Sequence, residues 1–289
     1  MFKLEEFIGR RVLTSSLLKD ECLIAFFTTR DLPLKAGERD DLIEEVENNK
    51  KLVCQKLGIE QENLIIPQQT HSDNIEIIKG IGNRKLGIEK KPLPITYSLL
   101  PYQNTDALIT DQPNIALALN FADCVPILFY DSVQKVIAAA HAGWRGTVAK
   151  IGPKTVRKMV GEFSCKPENI TAVIGPAIGK CCFEVKEDVL KQLAESINPP
   201  NDGGIAIPPY SPVGVSTPTC YHASNAFSDN HADLKLINKL QLLASGLEKI
   251  DVCEYCTSCQ NELFFSYRRE SGNTARHSAV IMQKVKSKR

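Results

Sequence analysis

Apolar residues in this chain collect into short unbroken runs, most clearly at 125–130 and 136–140, each bounded by polar residues. Runs of this length predict strands buried on both faces. Further strands are expected over 22–29, 63–67, 74–79, 106–110, 115–121, 169–175, 250–255, 263–268 and 277–282. Helical spacing governs 40–57, where Leu42, Val46, Val53 and Leu57 share a face, acids lead, lysines trail and Gly58 offers a stop. Residues 147–163 also read as helical, with Gly152-Pro153 either kinking the helix or setting its true start. Two more helices are expected over 186–197 and 232–247, the latter with Leu234, Ile237, Leu240 and Leu243 or Ala244 on one side. Residues 80–105 and 198–219, broken by Gly and Pro, read as long loops. No repeat or linker stands out, and strands and helices intersperse without a strict βαβ rhythm. The expected fold is one α+β domain over residues 1–289 with mixed β-sheets, not a doubly wound parallel sheet.

Composition narrows the function. The 289 residues are 43% hydrophobic and 24% charged, enough for a large core. Net charge is +1, and the only basic run is the tail at 284–289, read as a frayed end. Nucleic acid is therefore not an expected partner, because phosphate-driven binding needs a concentrated positive face. No run approaches the roughly 18 apolar residues of a membrane span, and the first residues show no secretory pattern. A cytoplasmic monomer is expected, acting on a small molecule, with its ten cysteines as thiols and metal binding as their special role.

The candidate chemistry centres on residues 120–146. Cys124 precedes the run 125–130, His141 ends the run 136–140, and His71 follows the short run 64–66 in a similar setting. A thiol and two imidazoles at strand ends can project into one cleft and hold a metal ion. Three such ligands suit Zn²⁺ and leave a fourth position open, the catalytic arrangement. The alternatives at this point are a buried structural thiol with satisfied histidines, a Cys124 nucleophile activated by a histidine, or a copper site. Several coppers would need many imidazoles, and the chain has only His71, His141, His222, His231 and His277. Arg30, Arg145, Arg268 and Arg269 lie at strand ends or corners where a guanidinium can grip phosphate. Gly143 and Gly146 flank Arg145 and would let backbone approach a ligand. Cys253, Cys256 and Cys259 form C-x₂-C-x₂-C without an evident fourth ligand, and Cys181-Cys182 reads as packing or a local turn.

These residues also fall into longer blocks. Gln69-Thr70-His71, Ala122-Asp123-Cys124-Val125-Pro126-Ile127 and Ala140-His141-Ala142-Gly143-Trp144-Arg145-Gly146-Thr147 are three of them. Gly175-Pro176-Ala177-Ile178-Gly179, Cys181-Cys182-Phe183-Glu184-Val185, and Cys256-Thr257 followed by Phe264-Phe265-Ser266-Tyr267-Arg268-Arg269 are the rest. Together, from about residue 22 to residue 282, they resemble the YfiH-like, laccase-domain family, also called the polyphenol oxidase or peptidoglycan-editing-factor family. The resemblance implies an α/β/β/α sandwich and zinc held by His71, Cys124 and His141. It implies phosphorolysis of adenosine, inosine, guanosine and methylthioadenosine, and deamination of adenosine. Asp123 is then a candidate proton shuttle, and Gln69, Arg30, Arg145 and Arg268 are candidate substrate and phosphate contacts. Competing expectations are a cysteine-type amide hydrolase editing a peptidoglycan precursor, a copper polyphenol oxidoreductase, and a non-catalytic metal- or nucleoside-binding regulator. The chain departs from the family pattern at Asp31-Leu32-Pro33, where a glycine-rich turn is usual, and at Thr274-Ala275-Arg276, where Thr-Gly-Arg is usual.

Overall fold

Two six-stranded mixed sheets stack face to face in the computed structural model, which describes residues 1–79, 102–197 and 223–285. The elements run β1 (Phe2–Phe7), β2 (Arg10–Ser15), β3 (Leu23–Thr28), α1 (Ile43–Leu57), β4 (Leu64–Ile65), β5 (Ile75–Ile77), β6 (Ala107–Thr110) and β7 (Ala116–Phe121). They continue with β8 (Val125–Asp131), β9 (Val136–Ala142), α2 (Trp144–Val148), α3 (Ile151–Phe163), β10 (Ile170–Ile174) and α4 (Glu187–Ile197). The last are β11 (Phe227–Ser228), β12 (His231–Ala232), α5 (Leu234–Ala244), β13 (Lys249–Val252) and β14 (His277–Gln283). One sheet has the order β1-β2-β3-β14-β7-β4, the other β13-β10-β8-β9-β6-β5.

Side-chain alternation explains the layering. In β8, Leu128 and Tyr130 join Leu117, Leu119 and Phe121 of β7 in the core between the sheets. Val125, Ile127 and Phe129 point the other way, against Ile151, Val156, Met159, Ile237 and Leu242 of the helices. The first sheet has its own outer layer: Val53 and Leu57 of α1 cover Val12, Phe26, Ala116, Ala118, Val280 and Met282. The result is the expected α/β/β/α sandwich. The central strands β7, β8, β9 and β14 are covered on two sides, which is why their sequences are nearly continuous apolar runs.

Local chemistry sets the boundaries. Gly58 ends α1 in the left-handed conformation, its N–H bonding back to Cys54 and Gln55. The expected helix over 147–163 is two helices broken at Lys150, which has φ 59°. Pro153 lies in the first turn of α3, where its missing N–H costs nothing, so it marks the true start. One strand expectation fails. Residues 263–268 form turns joined by irregular chain, with Phe264 and Phe265 both buried and the Arg268 N–H donated to Asp123. The β1–β2 hairpin was not expected at all. Most of the two long loops, His222 and residues 286–289 lie outside the described residues. Among the described residues no helix is long and apolar enough to cross a membrane.

Candidate metal centre

The β8–β9 hairpin carries the site. Its register pairs Val125 with Ala142 and Pro126 with His141, so Cys124, just before β8, and His141, near the end of β9, emerge at the same end. The segment before β5 brings His71 to them. The ligand atoms of His71, Cys124 and His141 all lie within 4.8 Å of one another. The imidazoles meet edge to face with centroids 4.9 Å apart, and Phe121 backs His141 at 5.3 Å. His141 is buried, Cys124 half-buried and His71 exposed, so the cluster opens to one side.

Asp106, at the mouth of β6, organises both histidines. Its Oδ1 accepts from His141 Nδ1 at 2.7 Å and from the His71 backbone N–H at 3.1 Å. Its Oδ2 accepts from the Thr70 and Ser72 N–H groups at 3.1 and 2.7 Å and from the Ser72 hydroxyl at 2.7 Å. These bonds hold His71 in a left-handed conformation, φ 62°, that few non-glycine residues adopt. They also fix the His141 tautomer and leave Nε2 as its ligand atom, the role carboxylates play behind metal-bound histidines. Sequence reasoning missed Asp106. Its only signal was a carboxylate placed directly before an apolar strand.

Gly143 completes the crowding. A Cβ there would lie 3.0 Å from Cys124 Sγ and 3.0 Å from His71 Cδ2, so a side chain at this position would press both groups out of place by a few tenths of an ångström. It is thus the ligand side chains themselves that Gly143 admits.

The electrostatics favour a ligand-ready thiolate. Burial would push the Cys124 thiol up, but the charge of His141 and hydrogen bonds from both imidazoles outweigh it and bring it down to about 6. Burial opposes charge on His141 too, yet Cys124 and Asp106 raise it to about 9. Burial also opposes charge on Asp106, but hydrogen bonds from His141 and Ser72 hold it at about 2. Without metal the three groups form a chain of thiolate, imidazolium and carboxylate. One sulfur and two nitrogens with a second carboxylate shell form a donor set that fits a divalent ion such as zinc and leaves a position free.

The other expected residues divide. Arg145 is exposed, stacked 4.3 Å over the Trp144 ring, with no carboxylate partner among the described residues. Arg30 is committed to Glu270 at 2.6 Å and lies over Phe265. Arg268 donates from its guanidinium to the Cys182 and Glu184 carbonyls. Gln69 clasps the Asn120 backbone with both ends of its amide, at 2.8 Å each. Asp123, at φ 82°, accepts from the Thr257 hydroxyl and the Arg268 N–H, 2.7 Å each.

Comparison with known proteins gives the family and the fold. The sequence model of the family described as multi-copper polyphenol oxidoreductase laccase matches residues 31–284. The chain is 31% identical to the purine nucleoside phosphorylase YlmD of Bacillus subtilis over 246 residues, 83% of this chain and 78% of that protein. It is 31% identical to the adenosine deaminase RL5 of an unknown prokaryotic organism, covering 85% of this chain and 84% of that one. The crystal structure of YlmD from Geobacillus stearothermophilus superposes with a TM-score of 0.74 at 29% identity, covering 98% and 99% of the two chains. The chain belongs to the multi-copper polyphenol oxidoreductase laccase family, with the YfiH and YlmD fold.

Proposed function

We propose that this protein is a zinc-dependent purine nucleoside phosphorylase that also deaminates adenosine, working in the cytoplasm on nucleoside and phosphate. The observation that carries the reading is the convergence of His71, Cys124 and His141, with Asp106 bonded to His141 and one side open. Zinc, when bound, supplies Lewis acidity toward water or a substrate atom. Five histidines in the whole chain argue against a multicopper oxidase. Met159 and Met282 are packed in the outer cores and Met1 is exposed with its ammonium on Asp251, so no axial methionine for an electron-transfer copper is offered among the described residues.

The chain's own residues then have separate tasks. Asp106 keeps the proton of His141 on Nδ1 and both histidines in place. Arg145 is the phosphate contact, because among the described residues its guanidinium stacks on Trp144 and has no carboxylate partner, while those of Arg30 and Arg268 are engaged. In phosphorolysis a phosphate oxygen bonds to the ribose C1′ as the glycosidic bond breaks, and the base leaves with the bonding pair and takes up a proton. In deamination water adds at C6 of adenine and ammonia leaves. With both carboxylate oxygens of Asp123 taken, we assign it to holding the Cys124 corner and not to shuttling protons. Incubation of the pure protein with adenosine, with and without phosphate and a chelator, tests the reading. Phosphate-dependent adenine and chelator-sensitive inosine are expected, and absence of both from metal-loaded protein would sink it.

A second reading has one observation in its favour. The metal-free Cys124 thiolate beside protonated His141 is also the resting state of a cysteine nucleophile. Amide cleavage of a peptidoglycan precursor that survives chelation would select it.

A further inference from the structure

The cysteine motifs at 181–182 and 253–259 take no part in the first centre, and the fold brings most of them together. Cys181, Cys182, Cys256 and Cys259 bring their sulfurs within 4.8 Å of one another. Cys253 is elsewhere, buried in the core between the sheets, so the true ligand pattern is not C-x₂-C-x₂-C. Cys181 and Cys259, 78 residues apart in the chain, have sulfurs 3.6 Å apart, and Cys182 and Cys259 are at 3.5 Å. Four thiolates around one tetrahedral zinc at about 2.3 Å would stand about 3.8 Å from each other. The observed spacing is already close to that figure.

The backbone is built for the sulfurs. Two tight turns present them, one closed by the Cys182 N–H on the Gly179 carbonyl at 3.0 Å, the other by the Cys259 N–H on the Cys256 carbonyl at 3.1 Å. The Gly179 N–H donates to Cys256 Sγ at 3.1 Å, a bond that favours a thiolate. A Cβ on Gly179 would lie 3.2 Å from Cys181 Sγ and 3.1 Å from Cys256 Cβ, so a side chain there would crowd the cluster. Two guanidinium groups attend it: Arg268 on the Cys182 carbonyl and Arg269 on the Ser258 carbonyl at 3.0 Å. They would offset the charge of a four-thiolate complex. Cys181 and Cys259 are exposed, where uncommitted thiols are a liability.

We propose that Cys181, Cys182, Cys256 and Cys259 form a second metal site, a closed four-sulfur site for a thiophilic divalent ion such as zinc. The four thiols release their protons to solvent as the ion binds, and no oxidant is needed. The ion clips the turn at 179–182 to the turn at 256–259, beside the Ala177–Cys256 bridge. Asp123 reaches the same turns, through Thr257 and through Ile178, whose N–H bonds the Asp123 carbonyl at 2.9 Å. The clip therefore braces the corner that carries Cys124.

The test starts from Cys124→Ala, which removes a ligand of the first centre. Reduced and loaded with Co²⁺, this full-length variant should bind one equivalent with the intense sulfur-to-cobalt absorption of a four-sulfur tetrahedral site. Adding Cys181→Ser and Cys259→Ser should abolish that absorption. In the unaltered protein, zinc should shield Cys181 and Cys259 from iodoacetamide until a chelator is added, as read by mass spectrometry. This second measurement needs no variant. The proposal is overturned if Cys124→Ala takes up no cobalt, if the absorption survives the serine substitutions, or if both exposed thiols alkylate equally with and without zinc. A disulfide from Cys259 forming in their place under reducing conditions would also overturn it.

Discussion

Cys124 and His141 stand at one end of a hairpin whose strands are buried throughout, whereas Cys181, Cys182, Cys256 and Cys259 stand on turns near the surface. The first cluster mixes nitrogen with sulfur, offers three ligands and has a carboxylate behind one of them. The second is all sulfur and fills a tetrahedron by itself. A position left open allows a reactant in, while a closed shell only holds chain segments together. The contrast extends to the backbone. The strand-borne site keeps its geometry through the core, and the turn-borne site would get its rigidity from the ion. Asp123 connects them, since it precedes Cys124 and bonds to Thr257 between Cys256 and Cys259.

The largest effect expected is from Cys124→Ala. Losing the ligand should empty the first centre and lower both phosphorolysis and deamination by about 10³-fold, the rate equivalent of several kcal/mol of electrophilic stabilisation. The same variant should keep the metal of the four-sulfur site, so elemental analysis separates the two centres. Full turnover in Cys124→Ala would remove the basis for the functional reading. Asp106→Asn comes next. It keeps the volume but weakens the acceptor for His141 and for three backbone N–H groups, and supporting residues of this kind typically cost 10–100-fold in metal affinity or activity. Metal competition titration against a chromophoric chelator measures it. An unchanged affinity would mean that Asp106 only holds the fold.

Arg145→Ala sharpens the comparison from the substrate side. Its KM for phosphate should rise about tenfold, the loss of one charge-assisted contact. Deamination of adenosine, which uses no phosphate, should stay as it was. A parallel loss in both reactions would place Arg145 on the nucleoside instead.

How far the sequence could carry these assignments depended on whether the signal was local. The runs at 125–130 and 136–140 were legible because both faces of each strand are buried, leaving no polar position to blur them. Mixed sheets in an α+β fold followed from such runs, and the layered sandwich from the family blocks alone. The hairpin of β1 and β2 was not legible: Phe2–Phe7 is mostly exposed, with Lys and Glu between its apolar ends. Residues 263–268 misled in the opposite way, since adjacent Phe264 and Phe265 are both buried in irregular chain between two turns, a pattern that mimics a core strand. At the site, His71, Cys124 and His141 could be nominated one by one. Asp106 could not, because its partners at 70–72 and 141 are distant in sequence. The four-cysteine cluster stayed hidden for the same reason, and Cys253 supplied a false third member.

The smallest effect concerns proton linkage in the metal-free protein, where the two sides of the first centre should cancel. Cys124 is lowered to about 6 from the usual 9, so its contribution is present above pH 9 and is lost as pH falls through 6. His141 is raised to about 9 from 6.5, so its contribution is present below pH 6.5 and is lost as pH rises through 9. Between about 6.5 and 9 the folded pair and the unfolded pair each carry one proton, and the thermal midpoint should not move with pH on their account. Outside that window other buried groups take over. Burial and then the nearby charge of Arg276 hold His277 down to about 3, so the unfolded chain binds the extra proton below pH 6.5 and stability falls toward acid. Burial raises Cys165 to about 12 and Cys253 to about 11, so the unfolded chain loses protons first above pH 9 and stability falls there too. Thermal melts of chelated protein across this range should give a plateau with two shoulders. Alkylation of Cys124 in the same samples should persist down to about pH 6 and then fail. A midpoint that slopes steadily from pH 6.5 to 9, with alkylation failing near 9, would mean that the thiol keeps its proton and that the ion pair at the strand-borne site does not form.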